Sequence, residues 1–196
     1  MNKKTDLRVI KTENLIRSSF IELVQTIGYQ RITIKDLCEK AMINRNTFYL
    51  HYSDKDDLIK SMINEAFDKY STQISGLSTQ FYNDVLSENY DDFYNNIRKF
   101  LSIIFEDIEL YRMMLLDEQL SGYFNKFQSM YEKTIFSHLK TKNKRAKIIF
   151  RYIMGGVNGI IVDWIVKDTT SLDETAEILS KLIFENIKIY IVENRK

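Results

Sequence analysis

"RITIKDLCEKAMINRNTFYLHYSDKDDL", residues 31–58, decides the fold. Thr33-Ile-Lys-Asp36 is a capping-box pattern with Asp in place of the usual Glu or Gln. It opens a helix whose apolar residues Ile34, Leu37, Cys38 and Ala41 recur at one-turn spacing and form a single stripe. That stripe makes Cys38 a small core residue. The pattern breaks at Met42-Ile43-Asn44, and Asn44 suits the N-cap of a second, short helix. There, steps of about 100° per residue place Arg45, Asn46, Tyr49 and Leu50 on one broad face and Phe48, His51 and Tyr52 on the other. Ser53-Asp54-Lys55-Asp56 starts a further capping pattern ahead of Leu58, Ile59, Met62, Ile63, Ala66 and Phe67. Upstream, Ile16, Phe20, Leu23, Val24 and Ile27 recur at helical spacing over residues 8–27, and Gly28 ends that helix with an expected positive φ. Short helices joined by a three-residue turn are helix-turn-helix organisation.

The second face of the short helix supplies an aromatic anchor, with Phe48 and Tyr52 turned toward the preceding helix. The first face presents Arg45, Asn46 and Tyr49, which suits a major groove. Arg forks to guanine, Asn pairs with adenine, and Tyr reaches a phosphate or a thymine methyl. The alternative for these residues alone is a solvated helix carrying an exposed tyrosine.

The whole chain has 196 residues, 44% of them hydrophobic and 28% charged, enough for one or two domains with a substantial core. A single cysteine excludes an intramolecular disulfide framework and fits a reducing compartment. No apolar segment follows the basic start MNKKTDLR, so no signal peptide is expected. The apolar stretch near GIIVDWIV is interrupted by Asp163 and reads as too short to span a bilayer. These readings place the protein in the cytoplasm, with no membrane partner. The net charge of +1 hides an asymmetry: residues 1–52 hold nine Lys/Arg against five Asp/Glu, while the remainder holds 19 against 22. A basic N-terminal quarter on a slightly acidic body suggests that one end meets a polyanion. No proline, only six glycines and no alternating strand pattern predict an all-α chain. GLSTQ (76–80), LSENYDD (86–92), KTKNK (140–144) and KDTTSLDE (167–174) are the expected loops. No catalytic constellation, no metal-ligand spacing around His51 and His138, and no glycine-rich phosphate loop is present, so no enzyme, cofactor or metal is expected.

Residues 31–58 resemble the N-terminal domain of TetR-family (TetR/AcrR) transcriptional regulators. Thr33, Ala41, Thr47-Phe48-Tyr49, Tyr52, Lys55 and Leu58 match that pattern in order and spacing, and the likeness extends back to Ile16. Two positions depart from it. Met42 stands where Gly is usual, which demands either a strained positive φ or a different turn. Asn46 stands where many members carry Gly, Ala or Ser, which reads as a specificity feature. The resemblance implies an N-terminal three-helix helix-turn-helix domain, residues 1–52, and a C-terminal helical dimerisation and effector-binding domain, residues 53–196, with 53–70 as the connecting helix. It further implies that Thr33 and Lys35 lie by the DNA backbone and that Arg45, Asn46, Thr47 and Tyr49 face the groove. His51 and Lys55 would contact phosphates, helped by the amides of the helix capped by Ser53. Lys3, Lys4, Arg8 and Lys11 would add flanking contacts.

Farther on, "FRYIMGGVNGIIVDWIVKD" (150–168) and "YRMMLLDEQLSGYFNKF" (111–127) resemble one branch of the same family. Gly155, Gly156 and Gly159 each cost a helix about 1 kcal/mol relative to Ala, and close approach of a partner backbone is the usual compensation. With Ile160, Leu182, Ile183 and Ile187 they form the expected interface of a homodimer built as a four-helix bundle; an intramolecular core is the alternative. Residues 81–136 hold 13 of the 25 aromatics. Within and beyond that stretch Phe105, Tyr111, Met114, Phe127 and Trp164 are the candidate small-molecule effector site, although helical cores use the same residue types. The reading that follows is a homodimeric repressor of a palindromic double-stranded DNA operator, released by an effector. Its rival is a TetR-like co-activator that works through protein contacts without binding DNA.

Overall fold

The computed structural model describes residues 7–138, 143–167 and 169–194. Among these residues it is all helical, in agreement with the sequence. The elements are α1 (Leu7–Ile27), a single 3-10 turn (Tyr29–Arg31), α2 (Ile34–Lys40), α3 (Arg45–Tyr49), α4 (Lys55–Leu86), α5 (Tyr90–Glu106), α6 (Ile108–Leu116), α7 (Ser121–His138), α8 (Lys144–Lys167) and α9 (Leu172–Asn194).

The chain divides into two compact units. The first comprises Met1–Asp68 and Met113–Asn125; the second comprises Lys69–Arg112 and Lys126–Lys196. The division falls inside α4, and the chain crosses it again within α6 and α7. The helix leading from Ser53 toward Tyr70 is therefore one of three covalent routes between the units.

In the first unit, the inward stripes of the short helices meet. Ile16, Phe20, Leu37, Phe48, Leu58 and Ile59 are fully buried, and α1, α2 and α3 pack in sequence. Such short helices are marginal alone and owe their stability to this packing. In the second unit, α5 and α8 each pack on α9. α5 buries Phe93, Ile97, Phe100, Leu101, Ile103 and Ile104 along one face. The α8–α9 connection is fixed by polar contacts: the Trp164 indole N–H donates to the Thr170 carbonyl at 3.1 Å, and the Thr170 and Thr175 hydroxyls meet at 2.8 Å.

Three expectations are corrected. GLSTQ (76–80) is helical within α4, because with no proline nothing removes a rung from the backbone ladder and Gly76 alone is too weak a breaker. Of LSENYDD only Ser87–Asn89 lies between helices, with Asn89 capping α5 by accepting the Asp92 N–H. KTKNK falls mostly outside the described residues. Third, Lys147–Lys167, with mean hydropathy 1.4, is long and apolar enough to cross a membrane by length and composition. Asp163 does not break the run, since it pairs with Lys167 one turn on at 2.5 Å. Core helices meet the same criterion, and α8 buries Phe150, Ile153, Val157, Ile161, Trp164 and Ile165.

Candidate nucleic-acid interface

The helix-turn-helix is held by local hydrogen bonds that its sequence spells out. Thr33 caps α2 by accepting the Asp36 N–H at 3.2 Å, while the Asp36 carboxylate accepts both the Thr33 N–H at 2.8 Å and its hydroxyl at 2.7 Å. Those two donors hold the Asp36 carboxyl below its usual pKa. Asn44 caps α3 by accepting the Thr47 N–H at 2.8 Å and the Thr47 hydroxyl at 3.0 Å. Thr47 is thus occupied in the cap rather than presented outward with its neighbours. The turn between the two helices passes through Met42 at φ 53°, the strained alternative of the two that its sequence allowed, with its side chain 87% exposed.

α3 splits as its periodicity predicts. Phe48 is fully buried and Tyr52 nearly so, with ring centroids 5.9 Å apart. Arg17 from α1 donates through Nε to the Tyr52 hydroxyl at 3.2 Å and pairs with Glu65 at 2.5 Å, joining α1, the end of α3 and α4. Burial pushes the Tyr52 phenol up, with Arg17 opposing. On the other face Arg45 and Asn46 are exposed, as are Tyr49 and Leu50. Among the described residues no hydrogen bond or ion pair engages the side chains of Arg45, Asn46 or Tyr49. Their forks, amide and phenol are free for an external partner. Cys38 lies inside α2 with its thiol pushed up by burial, an effect that the Arg45 charge opposes.

The remaining candidates fall in different places. Lys35 is exposed on α2, 3.7 Å from Glu39. His51 is mostly buried, its Nδ1 facing Glu13 of α1 at 3.5 Å. Lys55 departs from its expected phosphate role. Its ammonium donates to the carbonyls of Tyr29 (2.9 Å), Gln30 (3.2 Å) and Ile32 (3.1 Å) and lies 4.6 Å from the Tyr29 ring centroid. An ammonium has three donors, and these carbonyls take them all. The cap of α4 also moves by one residue. Asp54, not Ser53, accepts the Asp57 N–H at 2.7 Å, and Asp57 accepts the Ser53 N–H at 2.9 Å. Lys3 and Lys4 lie outside the described residues.

In the second unit, a Cβ built at Gly155, Gly156 or Gly159 would meet nothing within 4 Å. Among the described residues no backbone approaches closely enough to need the missing side chains there. On the same two helices Ile148, Tyr152, Ile178, Leu182 and Ile189 are at least 40% exposed, whereas Ile187 is buried and Ile160 and Ile183 half-buried. The aromatic candidates form two separate pairs, Phe105 stacked on Trp164 at 6.2 Å and Tyr111 against Phe127 at 5.1 Å. Met114 belongs to the first unit and is buried there.

A capped helix pair whose second member buries an aromatic and offers a free Arg, Asn and Tyr defines a helix-turn-helix protein. Residues 20–62 match the profile described as "Bacterial regulatory proteins, tetR family", so the helix-turn-helix segment is that of this family of transcriptional regulators. DhaS of Lactococcus lactis subsp. lactis (strain IL1403), described as the HTH-type dhaKLM operon transcriptional activator, is 22% identical over 188 residues, 92% of this chain and 93% of its own. YxbF of Bacillus subtilis (strain 168), an HTH-type transcriptional regulator, is 37% identical over 65 residues, which is 33% of this chain and only 17% of YxbF. Among solved structures, a TerR/AcrR-family transcriptional regulator from Aquifex aeolicus VF5 superposes with a TM-score of 0.61 at 19% identity, covering 91% of this chain and 98% of that one. At that identity the superposition speaks to the fold.

Proposed function

We propose that the protein is a sequence-specific, double-stranded-DNA-binding transcriptional regulator that works in the cytoplasm as a homodimer, repressing transcription until a small effector releases it. The observation that carries the DNA reading is the outer face of α3, where the exposed polar groups of Arg45, Asn46 and Tyr49 have no hydrogen-bond or ion-pair partner among the described residues. Exposed Thr33 and Lys35 stand at the start of α2, and Thr47 and the mostly buried His51 flank the reading face. The homodimer reading rests on the exposed apolar residues of α8 and α9 and on the open glycines of α8; large exposed apolar patches mark interaction surfaces. The effector reading rests on the two aromatic pairs of the second unit, with Trp164 as reporter. A second reading, activation in place of repression, is favoured by the description of DhaS as an operon activator. It includes the co-activator without DNA contacts.

Selection of bound duplexes from a random DNA pool tests the central claim. A palindromic consensus with half-sites about one helical turn, or a modest multiple, apart is the expected result, and Arg45→Ala and Tyr49→Ala should each lose roughly 1–3 kcal/mol of specific affinity. Enrichment of no sequence by the folded protein would leave the co-activator reading in possession. Expression from a reporter carrying the selected site then separates repression from activation.

A further inference from the structure

The turn after α6 contributes a side chain to the helix-turn-helix unit. The backbone N–H of Tyr29, the first residue of the 3-10 turn after α1, donates to Asp117 Oδ2 at 2.8 Å across 88 residues of sequence. The other oxygen of the same carboxylate accepts the Gln119 N–H at 2.9 Å. Each oxygen thus serves a different backbone donor, a task that asparagine, with one carbonyl oxygen, cannot complete. The Asp117 carbonyl accepts from Leu120 and Ser121, at 3.0 Å each, which fixes the turn that carries the carboxylate.

Tyr29 is the point where this bond acts. Its ring is buried edge-on against Phe20 at 6.1 Å, its hydroxyl donates to Asp56, and the carbonyls of Tyr29, Gln30 and Ile32 receive the Lys55 ammonium. Between α1 and α2 the chain has only the single 3-10 turn, whose own hydrogen-bond geometry is weak. Gly28 enters that turn at φ 80°. Two anchors from elsewhere in the sequence, Lys55 on the carbonyls and Asp117 on the amide, set where Thr33 begins α2. α2 in turn carries α3.

We infer that Asp117 is a positioning residue for DNA recognition: by holding the Tyr29 amide it fixes the link from which the α2–α3 pair is presented. The inference rests on the DNA-binding reading above. It makes the working DNA-binding unit discontinuous, completed by residues that enter at Met113 and leave at Asn125. A displacement of α6 or α7 therefore reaches the reading face through Asp117, by a route separate from α4.

Full-length Asp117→Asn and Asp117→Ala test this, with two measurements made well below the melting temperature. One is affinity for a duplex selected by the wild-type protein; the other is hydrogen exchange at the Tyr29 amide. Asp117→Ala should exchange that amide faster and bind about tenfold more weakly, and Asp117→Asn should fall between it and the wild type. The ranking of sequences and the salt dependence should stay as in the wild type, since no DNA contact is lost. A purely structural role would lower the melting temperature and leave the affinity of the folded protein unmoved. Faster Tyr29 exchange with wild-type affinity therefore overturns the inference. If the alanine variant does not fold, the near-isosteric Asp117→Asn carries the test, and wild-type affinity in it has the same force. A wild-type protein that selects no duplex refutes the DNA reading and the positioning role together, whereas variants that match a DNA-binding wild type refute the positioning role alone.

Discussion

Lys55→Ala separates two chemistries that a lysine at this position could serve. A phosphate-contacting lysine contributes to DNA affinity and to its salt dependence, and its loss flattens the salt slope by about one unit. The geometry assigns Lys55 instead to the carbonyls of Tyr29, Gln30 and Ile32. Two of those bonds are partly shielded from water and the third, to Gln30, is open. Taking about 1–1.5 kcal/mol for each shielded charge-assisted bond and nothing for the open one, the loss is about 2–3 kcal/mol of stability. For a chain of this size that lowers the melting temperature by roughly 4–12 °C. The assay pairs urea denaturation with DNA binding over a salt series. A destabilised variant with a wild-type salt slope is the expected outcome. A variant of unchanged stability whose slope has dropped by about one unit would show that Lys55 reaches a phosphate and that the carbonyl assignment is wrong.

Other substitutions probe the turn, the subunit contact and the cap. Met42→Gly should raise stability by roughly 0.5–1 kcal/mol, because relief of the positive φ outweighs the added chain entropy and an 87% exposed side chain gives up no packing; a lower urea midpoint would refute this. Gly159→Leu should leave the fold of the single chain intact, since nothing lies within 4 Å of the new Cβ. Light scattering should nevertheless show a weakened dimer, and a full-strength dimer takes Gly159 out of the interface. The Asp36 carboxyl titrates below its ordinary value of 3.8 because Thr33 donates to it twice. Its stabilisation is therefore complete above that pH and fades as the pH falls through the folded-state pKa. Asp36→Asn should accordingly lose less stability than the wild type as the pH falls below 3.8, and parallel acid-unfolding curves would count against the cap as a source of acid sensitivity.

What the sequence made legible was local. The Thr33–Asp36 and Asn44–Thr47 caps are bonds between residues three apart, so residue type and spacing suffice to name them. The buried and exposed sides of α3 follow from helical periodicity in the same way. Bonds spanning long stretches of chain were not legible. Lys55 lies 23 to 26 residues from its carbonyl partners and Asp117 lies 88 from Tyr29, and no pattern in either segment announces the other. Resemblance gave no sign of the carbonyl partners of Lys55 for that reason, since it carries over a residue's place in a motif and not the partner it meets. GLSTQ was misread for a different cause: small polar residues mark loops only on average, and a ladder with every N–H present runs through them. The candidate effector set mixes Met114 of one unit with four residues of the other because aromatic and methionine enrichment is blind to which core is being filled.

The shortness of α3 bears on how such a protein finds its site in a genome. Five residues at about 1.5 Å rise span roughly 7.5 Å, or about two base-pair steps of 3.4 Å. At about 1–3 kcal/mol for each base pair read, one such helix discriminates by roughly 30- to 20,000-fold. A bacterial chromosome offers upward of about a million competing positions, so a lone copy would be titrated away by wrong sequence. Two copies on a symmetric site square the ratio, to roughly a thousand- to several-hundred-million-fold. Toward the upper part of that range the correct site outcompetes the rest of the chromosome.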